Sequence, residues 1–317
     1  MATYLVTGGA GFVGSHIVHE LVTRGEAVRV LDDLSTGRLE NLAAVRNRIE
    51  WIEADIRNLA EIGKHLRGVD YVIHEAALPS VARSIADPVS ANAVNIGGTL
   101  NVLWAARDAG VKRVVFAASA AAYGDSPTLP RVESQDPRPL SPYALTKLAG
   151  EYYCQIFTRI YGLEAVALRY FNIFGPRQNP DSAYTGVLCR FIAAYLRGTT
   201  PTILGDGEQS RDFVYVGNIV DATLRACQAS GTAGRVINVG VGESFTLNQT
   251  VAILNRIFAC QVMPRYDAPR PGDIRHSQAD ISLARHLLGY EPKVRFEDGL
   301  RQTVDWYRSV LQASDRT

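Results

Sequence analysis

A doubly wound parallel α/β sheet with a smaller second α/β domain is the fold this sequence predicts, on three observations. Short apolar runs alternate with helix-patterned segments through the first half of the chain. Turn residues separate the two kinds of segment. Past Asn172 that alternation gives way to loops rich in Pro, Gly, Asn and Asp. Strand, helix and strand repeated in this way imply right-handed crossovers and a parallel sheet covered on both faces.

The strands are expected at 3–7 (TYLVT), 27–31 (AVRVL), 49–53 (IEWIE), 70–74 (DYVIH), 112–118 (KRVVFAA) and 164–169 (EAVALR). Helices are expected between them, as in "GSHIVHELVTRG" and "NIGGTLNVLWAARDAG". The second of these closes on Gly110, a C-cap signal. Beyond Asn172, "FGPRQNPDSAYTG", "LGDGEQSRD" and "DAPRPGDIRHSQAD" read as loops between shorter elements. The expected division is a first domain over 1–172 and a second over 173–317, with a segment near 212–240 packing back on the first.

Composition limits the function. The 317 residues are 47% hydrophobic and 21% charged, with a formal charge of +1. That balance argues against a broad nucleic-acid or membrane footprint. The four cysteines are scattered with no C-x-x-C pair, as expected of free thiols in a reducing compartment. The chain enters its first strand directly, without a leader-like or membrane-spanning run, so a cytoplasmic protein is expected.

The first strand runs into "VTGGAGFVGSHIV", with Gly8, Gly11 and Gly14 spaced three apart. Glycines there permit a tight turn, a close approach of backbone to a pyrophosphate, and helix-on-sheet packing. The helix that follows aims its first N–H groups at the phosphates. The second strand ends in "LDDLSTG", and Asp32 lies 18 residues past Gly14, where a carboxylate accepts from ribose hydroxyls. The same charge disfavours a 2′-phosphate. A Rossmann-type site for NAD, rather than NADP, is therefore expected. Asp33 shares that turn, and Asp55 in "EADIRN" is a candidate for the adenine amino group.

"SPYALTK" places Tyr143 and Lys147 four apart, on one helix face. A tyrosine titrates near 10, and reaching about 7 takes roughly 4 kcal/mol of differential stabilisation. A nearby ammonium and an oxidised nicotinamide both act in that direction. His74, His276 and His286 show no metal-ligand spacing and read as structural or solvated residues.

Together with "LRYFNIFGPRQNP", "GDGEQSRDFVYV" and "RPGDIRHSQADIS", these phrases resemble the extended short-chain dehydrogenases/reductases, and among them the UDP-sugar 4-epimerases. The resemblance covers nearly the whole chain. It implies a catalytic Ser119, four residues before the tyrosine of the "YG" pair at Tyr123, beside Tyr143 and Lys147. It also implies NAD contacts from Phe12, Val13, Ser35, Thr36, Gly37, Ile56, Ala76, Ala77, Asn95 and Tyr170. For the substrate it implies Asn172 and Arg211 with Arg270 on the diphosphate, and Asp273 on a ribose hydroxyl. Leu204 would lie on the uracil, with Gly186 and Val187 nearby. Ser80, Arg83 and Ser84 would face the sugar. Ser277 occupies a position where a bulky tyrosine in relatives excludes an N-acetyl group.

Around Ser119 the chain departs from the family, with alanines at 117, 118, 120 and 121. Dehydrating or decarboxylating relatives carry acidic residues close after this serine, which Ala120 and Ala121 do not supply. The expected reaction is 4-epimerisation of a UDP-hexose through a transient 4-keto sugar, with N-acetylhexosamines accepted and a homodimer formed through the helices of "NIGGTLNVLWAARDAG" and "KLAGEYYCQIFTRIYG". UDP-glucose/UDP-galactose-only or UDP-glucuronate epimerisation, a one-way dehydrogenase and a non-catalytic NAD-binding regulator are the alternatives.

Overall fold

The computed structural model describes residues 1–178, 186–269 and 274–314. In chain order the strands are β1 (Thr3–Thr7), β2 (Ala27–Asp32), β3 (Glu50–Glu53), β4 (Tyr71–His74), β5 (Arg113–Ser119), β6 (Glu164–Tyr170) and β7 (Asn172–Phe174). They continue as β8 (Thr202–Leu204), β9 (Ser210–Arg211), β10 (Phe213–Tyr215), β11 (Val236–Val239), β12 (Phe245–Thr246) and β13 (Arg265–Asp267). The helices are α1 (Phe12–Thr23), α2 (Leu59–His65), α3 (Val81–Ala86), α4 (Pro88–Asn92), α5 (Thr99–Asp108) and α6 (Pro142–Tyr161). After them come α7 (Val187–Leu196), α8 (Val216–Gln228), α9 (Leu247–Phe258), α10 (Ser282–Leu288) and α11 (Phe296–Ser314).

Seven strands form a parallel sheet in the order β11-β6-β5-β4-β1-β2-β3. The order reverses at β1, which pairs with β2 on one side and β4 on the other. That reversal opens a crevice at the strands' carboxyl ends, where open α/β sheets bind ligands. The strands carry apolar residues toward both faces, so two separate cores form. One contains Val6, Val18, Val115 and Ile237, and the other Leu5, Leu103, Phe116 and Phe157. The six strands expected from the sequence appear with ends shifted by no more than one residue.

The seventh strand, β11, comes from the later half of the chain and pairs with β6 from Val236↔Ala167 to Val239↔Tyr170. Helix α8 packs against α1. A third core joins α7, α9 and α11 through Phe174, Phe191, Leu254, Phe296 and Leu300. Asp212, fully buried, ties this region to the sheet. Its carboxylate accepts from the backbone N–H of Val241 (2.8 Å), Gly242 (2.9 Å) and Ala279 (3.1 Å). No helix among the described residues is long and apolar enough to cross a membrane.

Candidate active site

The crevice holds a cavity of about 340 Å³. The glycine turn forms one end. Gly8 has φ +69°, and a Cβ there would lie 2.6 Å from the Ala76 nitrogen. At Gly14 a Cβ would meet the Gly8 carbonyl oxygen at 2.2 Å. Neither clash is with a side chain that can rotate away, so both positions require glycine. Gly11 is the N-cap of α1, and Phe12 and Val13 open its first turn into the cavity.

Asp32 ends β2 and is 6% exposed. Its Oδ2 accepts from the Ala10 N–H at 3.0 Å and its Oδ1 from the Leu34 N–H at 2.9 Å. Gly37 is forced to be small by the same carboxylate, which lies 2.8 Å from where its Cβ would be. Burial raises the Asp32 pKa, and those two backbone donors oppose the rise. The carboxylate lines the cavity with Asp33, Ser35 and Thr36, aimed by backbone rather than by a mobile rotamer. A dinucleotide fits this donor and acceptor set: Cβ-free backbone for a pyrophosphate, a fixed carboxylate for a ribose. Asp32→Asn is expected to weaken NAD by about tenfold and to narrow its preference over NADP, by loss of a charge-assisted hydrogen bond. Calorimetric titration with both cofactors checks it.

The other end of the cavity holds Ser119, Tyr143 and Lys147. Ser119 ends β5, and its Oγ accepts from the Ala121 N–H at 3.2 Å. Tyr143 lies in the first turn of α6, which is capped by Ser141 Oγ accepting from the Ala144 N–H. One turn on, Lys147 reaches back so that Nζ donates to the Ala117 carbonyl at 2.7 Å. Gly150 lets α6 sit on β5, because a Cβ there would fall 2.3 Å from the Phe116 ring. The Ser119 hydroxyl and the Tyr143 phenol neighbour one another in the cavity wall.

Burial holds the Tyr143 phenol above its ordinary range; the Ser119 hydrogen bond lowers it, and the charge of Glu75 raises it. Lys147, pushed down to about 8 by burial against the opposing charge of Glu75, donates to the Ala117 carbonyl. A cationic nicotinamide, when NAD is bound, acts toward the phenolate.

Sixteen of the residues expected to contact cofactor or perform chemistry line this cavity, among them Ile56, Ala76, Ala77 and Tyr170. Several others are placed differently. Asp55 lies between two lining residues, Ala54 and Ile56, and its carboxylate accepts from Arg57 at 2.5–3.1 Å. Asn95 does not reach the cavity; its amide pins Leu78 (2.7 Å to the Leu78 N–H) and Thr146 (3.0 Å), and so supports the turn that carries Tyr143. Ser80 is spent capping α3. Ser84, buried, accepts from the Tyr143 N–H at 3.0 Å, which makes it a support for the tyrosine's backbone. Arg83 is half-buried on α3.

Among the described residues, those expected on the substrate from the later part of the chain do not line this cavity; Asn172 is exposed at the start of β7, which pairs with β10. Gly186 caps α7 just before Val187, and Leu204 ends β8. Arg211 ends β9, with Nη1 donating to the Ser210 carbonyl at 2.9 Å. Ser277 is tied to β9 by its N–H to the Ser210 carbonyl at 3.0 Å. Arg270 and Asp273 lie outside the described residues.

Among the described residues no group of three or more His, Cys, Asp or Glu is placed to hold a metal ion. His74 sits between Thr7 (2.7 Å) and Thr99 (3.0 Å), and burial lowers its pKa to about 3. The four cysteines are free thiols. Sequence reasoning overlooked Glu75, a carboxyl in the cavity wall whose only signal was an acidic residue at the end of an apolar strand, in "HEAA".

A parallel sheet with a glycine turn at its reversal point and a Ser–Tyr–Lys set at the neighbouring strand end defines an extended short-chain dehydrogenase/reductase. The chain belongs to the NAD dependent epimerase/dehydratase family, whose model matches residues 4–240. It is 39% identical over 318 residues to the UDP-glucose 4-epimerase of Mycolicibacterium smegmatis, covering 97% of this chain and 99% of that one. It is similar to the structure of the UDP-N-acetylglucosamine 4-epimerase of Methanobrevibacter ruminantium in complex with UDP-N-acetylmuramic acid. There the TM-score is 0.94 at 42% identity, over 98% of this chain and 99% of that one. A UDP-glucuronic acid 4-epimerase from Bacillus cereus, solved with UDP-glucuronic acid and NAD, gives a TM-score of 0.90 at 32% identity, over 97% and 99% of the two chains. The isomerase class expected from the sequence agrees with these relatives.

Proposed function

We propose that this protein is an NAD-dependent UDP-sugar 4-epimerase that accepts UDP-N-acetylglucosamine and UDP-N-acetylgalactosamine. The observation that carries the reading is one cavity bounded by the glycine turn and Asp32 at one end and by Ser119, Tyr143 and Lys147 at the other. When bound there, NAD supplies a hydride acceptor and donor. Tyr143 takes the proton of the sugar C4 hydroxyl and returns it to O4 after the 4-keto sugar has turned over. Ser119, beside the phenol in the cavity wall, carries the proton path and polarises the keto oxygen. Lys147 holds the end of β5 through Ala117 and keeps a positive charge beside the site. One base and one hydroxyl are enough, so the alanines around Ser119 remove nothing that this reaction needs.

On the substrate side, Asn172, Arg211 and Arg270 are assigned to the diphosphate, Leu204 to the uracil, Asp273 to a ribose hydroxyl, and Gly186 and Val187 to the wall of α7. Arginine suits such an anion because its planar fork matches phosphate oxygens. The small Ser277 leaves space for an acetamido group, and the N-acetylglucosamine epimerase among the relatives supports that preference. A homodimer through α5 and α6 also belongs to this reading. Leu145, Tyr152, Ile156 and Ile160 leave an exposed apolar stripe along α6, with Trp104 of α5 and Tyr161 packed edge-to-face beside it.

The test incubates the purified protein, without added cofactor, with UDP-N-acetylglucosamine and separately with UDP-glucose, and follows the sugar H1 and H4 signals by NMR. UDP-N-acetylgalactosamine should form at a rate at least comparable to UDP-galactose. Formation of UDP-galactose alone would withdraw the N-acetyl assignment and keep the chemistry. Ser277→Tyr is expected to lower the N-acetylhexosamine rate by about tenfold or more and to spare UDP-glucose, since a clash acts only on the larger sugar. Equal losses on both sugars would remove Ser277 as the gate.

A further inference from the structure

Glu75 is the carboxyl that the reaction above leaves without a role. It follows directly on β4, whose last pair with β5 is His74↔Phe116, so it lies beside Ala117, the residue whose carbonyl holds Lys147. Its own N–H donates to the Thr7 carbonyl of β1 at 3.1 Å, which fixes its backbone. Tyr170 donates to Oε1 at 3.0 Å, and the Tyr170 oxygen is 2.7 Å from Thr223 Oγ1 on α8. Thr223 donating to Tyr170, and Tyr170 to Glu75, makes a chain that ends on a carboxylate. Among the described residues Oε2 has no hydrogen-bond donor, and the side chain lines the cavity with Tyr143 and Lys147.

We propose that Glu75 is a positioning residue for the epimerase reaction: its carboxylate is the counter-charge to Lys147 inside the cavity and sets the pH at which Tyr143 releases its proton. The inference rests on the function proposed above. The surrounding groups leave few other candidates for that task. His74, on the same strand, is kept neutral by burial, as are Tyr170 on β6 and Cys227 on α8, whose thiol is pushed up to about 12. Ser119 on β5 carries no charge. Among the described residues the ionisable groups left at this end are Glu75, Lys147 and Tyr143; burial pushes the Glu75 carboxyl up to about 7 against the Tyr170 hydrogen bond and the Lys147 charge, and Glu75 acts on both of the others. It favours the ammonium on Lys147 and opposes the phenolate on Tyr143.

Those two actions have one signature. Without the negative charge, Lys147 gives up its proton at lower pH, and so does Tyr143. Both limbs of a bell-shaped rate profile should then move toward acid, whereas a purely structural loss lowers the rate and leaves the limbs in place. Glu75→Gln preserves the acceptor for Tyr170 and removes the charge. In the NAD-loaded protein, the near-ultraviolet phenolate absorbance of Tyr143, taken against Tyr143→Phe, should titrate about half a pH unit or more below the parent, roughly a threefold change in proton affinity. Both limbs of the turnover profile should shift with it, and Glu75→Asp should restore the parental positions. Glu75→Leu carries the same expectation should the glutamine variant not retain NAD. The phenolate titration needs no sugar, so it reads Glu75 even if the epimerase reading fails. A titration and a profile that coincide with the parent's, at full NAD content, would overturn the proposal.

Discussion

Tyr143→Phe should lower turnover by about 10²–10⁴-fold, the range typical of a positioned general acid–base. The substitution removes one oxygen and keeps the ring. The phenol lines the cavity beside Ser119, and its backbone is held separately by Ser84 and by the α6 cap. NAD content and Tm should therefore stay near parental values while the chemical step slows. KM for the nucleotide sugar should change little, because the residues proposed for the diphosphate and uracil do not include Tyr143. A variant with normal NAD content and turnover within threefold of the parent would remove Tyr143 as the base. Then the buried phenol, already raised by its surroundings, would be a packing residue.

Glu151→Ala is expected to cost about 3–5 kcal/mol of stability, the range for removing one member of a buried ion pair. Glu151 lies on α6, one turn after Lys147. Its carboxylate takes Arg169 Nε at 2.8 Å and Nη2 at 2.7 Å, and the two side chains are 2% and 4% exposed. Arg169, on β6, also stacks 4.5 Å over the ring of Tyr123. Tyr123 in turn donates to Asn238 Oδ1 on β11 at 2.7 Å, just beyond the Ser119 turn. Removing the carboxylate strands a guanidinium whose Nη1 already has no hydrogen-bond partner. Urea denaturation, with Cm and slope compared, reads the loss. Replacing both partners together by Leu and Met should cost markedly less than the single change, since no uncompensated charge remains. Equal losses would mean that packing, and not the stranded charge, accounts for the effect.

How much was legible in the sequence follows from what periodicity and spacing encode. The six strands were readable because buried parallel strands are near-continuous apolar runs closed by turn residues. The glycine turn and Asp32 were readable because their task is a backbone task, set by spacing. The seventh strand, β11, was not read as a strand. "VINV" is short, and nothing local shows that it pairs with β6, which lies far back along the chain. Asn95 and Ser84 were placed by resemblance in the site, but whether a polar side chain faces a cavity or a neighbouring backbone depends on local hydrogen bonds that residue type does not record. Glu75 escaped for the same reason. One acidic residue at a strand end looks like a solvated turn until the partners around it, Tyr170 and Lys147, are in place.

The central claim is that hydride leaves and returns to the same carbon within one closed site. The direct measurement supplies UDP-N-acetylglucosamine and UDP-glucose deuterated at C4 to the purified protein and locates the label in the product. The account predicts an epimerised product that keeps its deuterium at C4, with no NADH released to solution. Loss of the label to solvent, release of NADH, or no epimer from either sugar in NAD-loaded protein would contradict it.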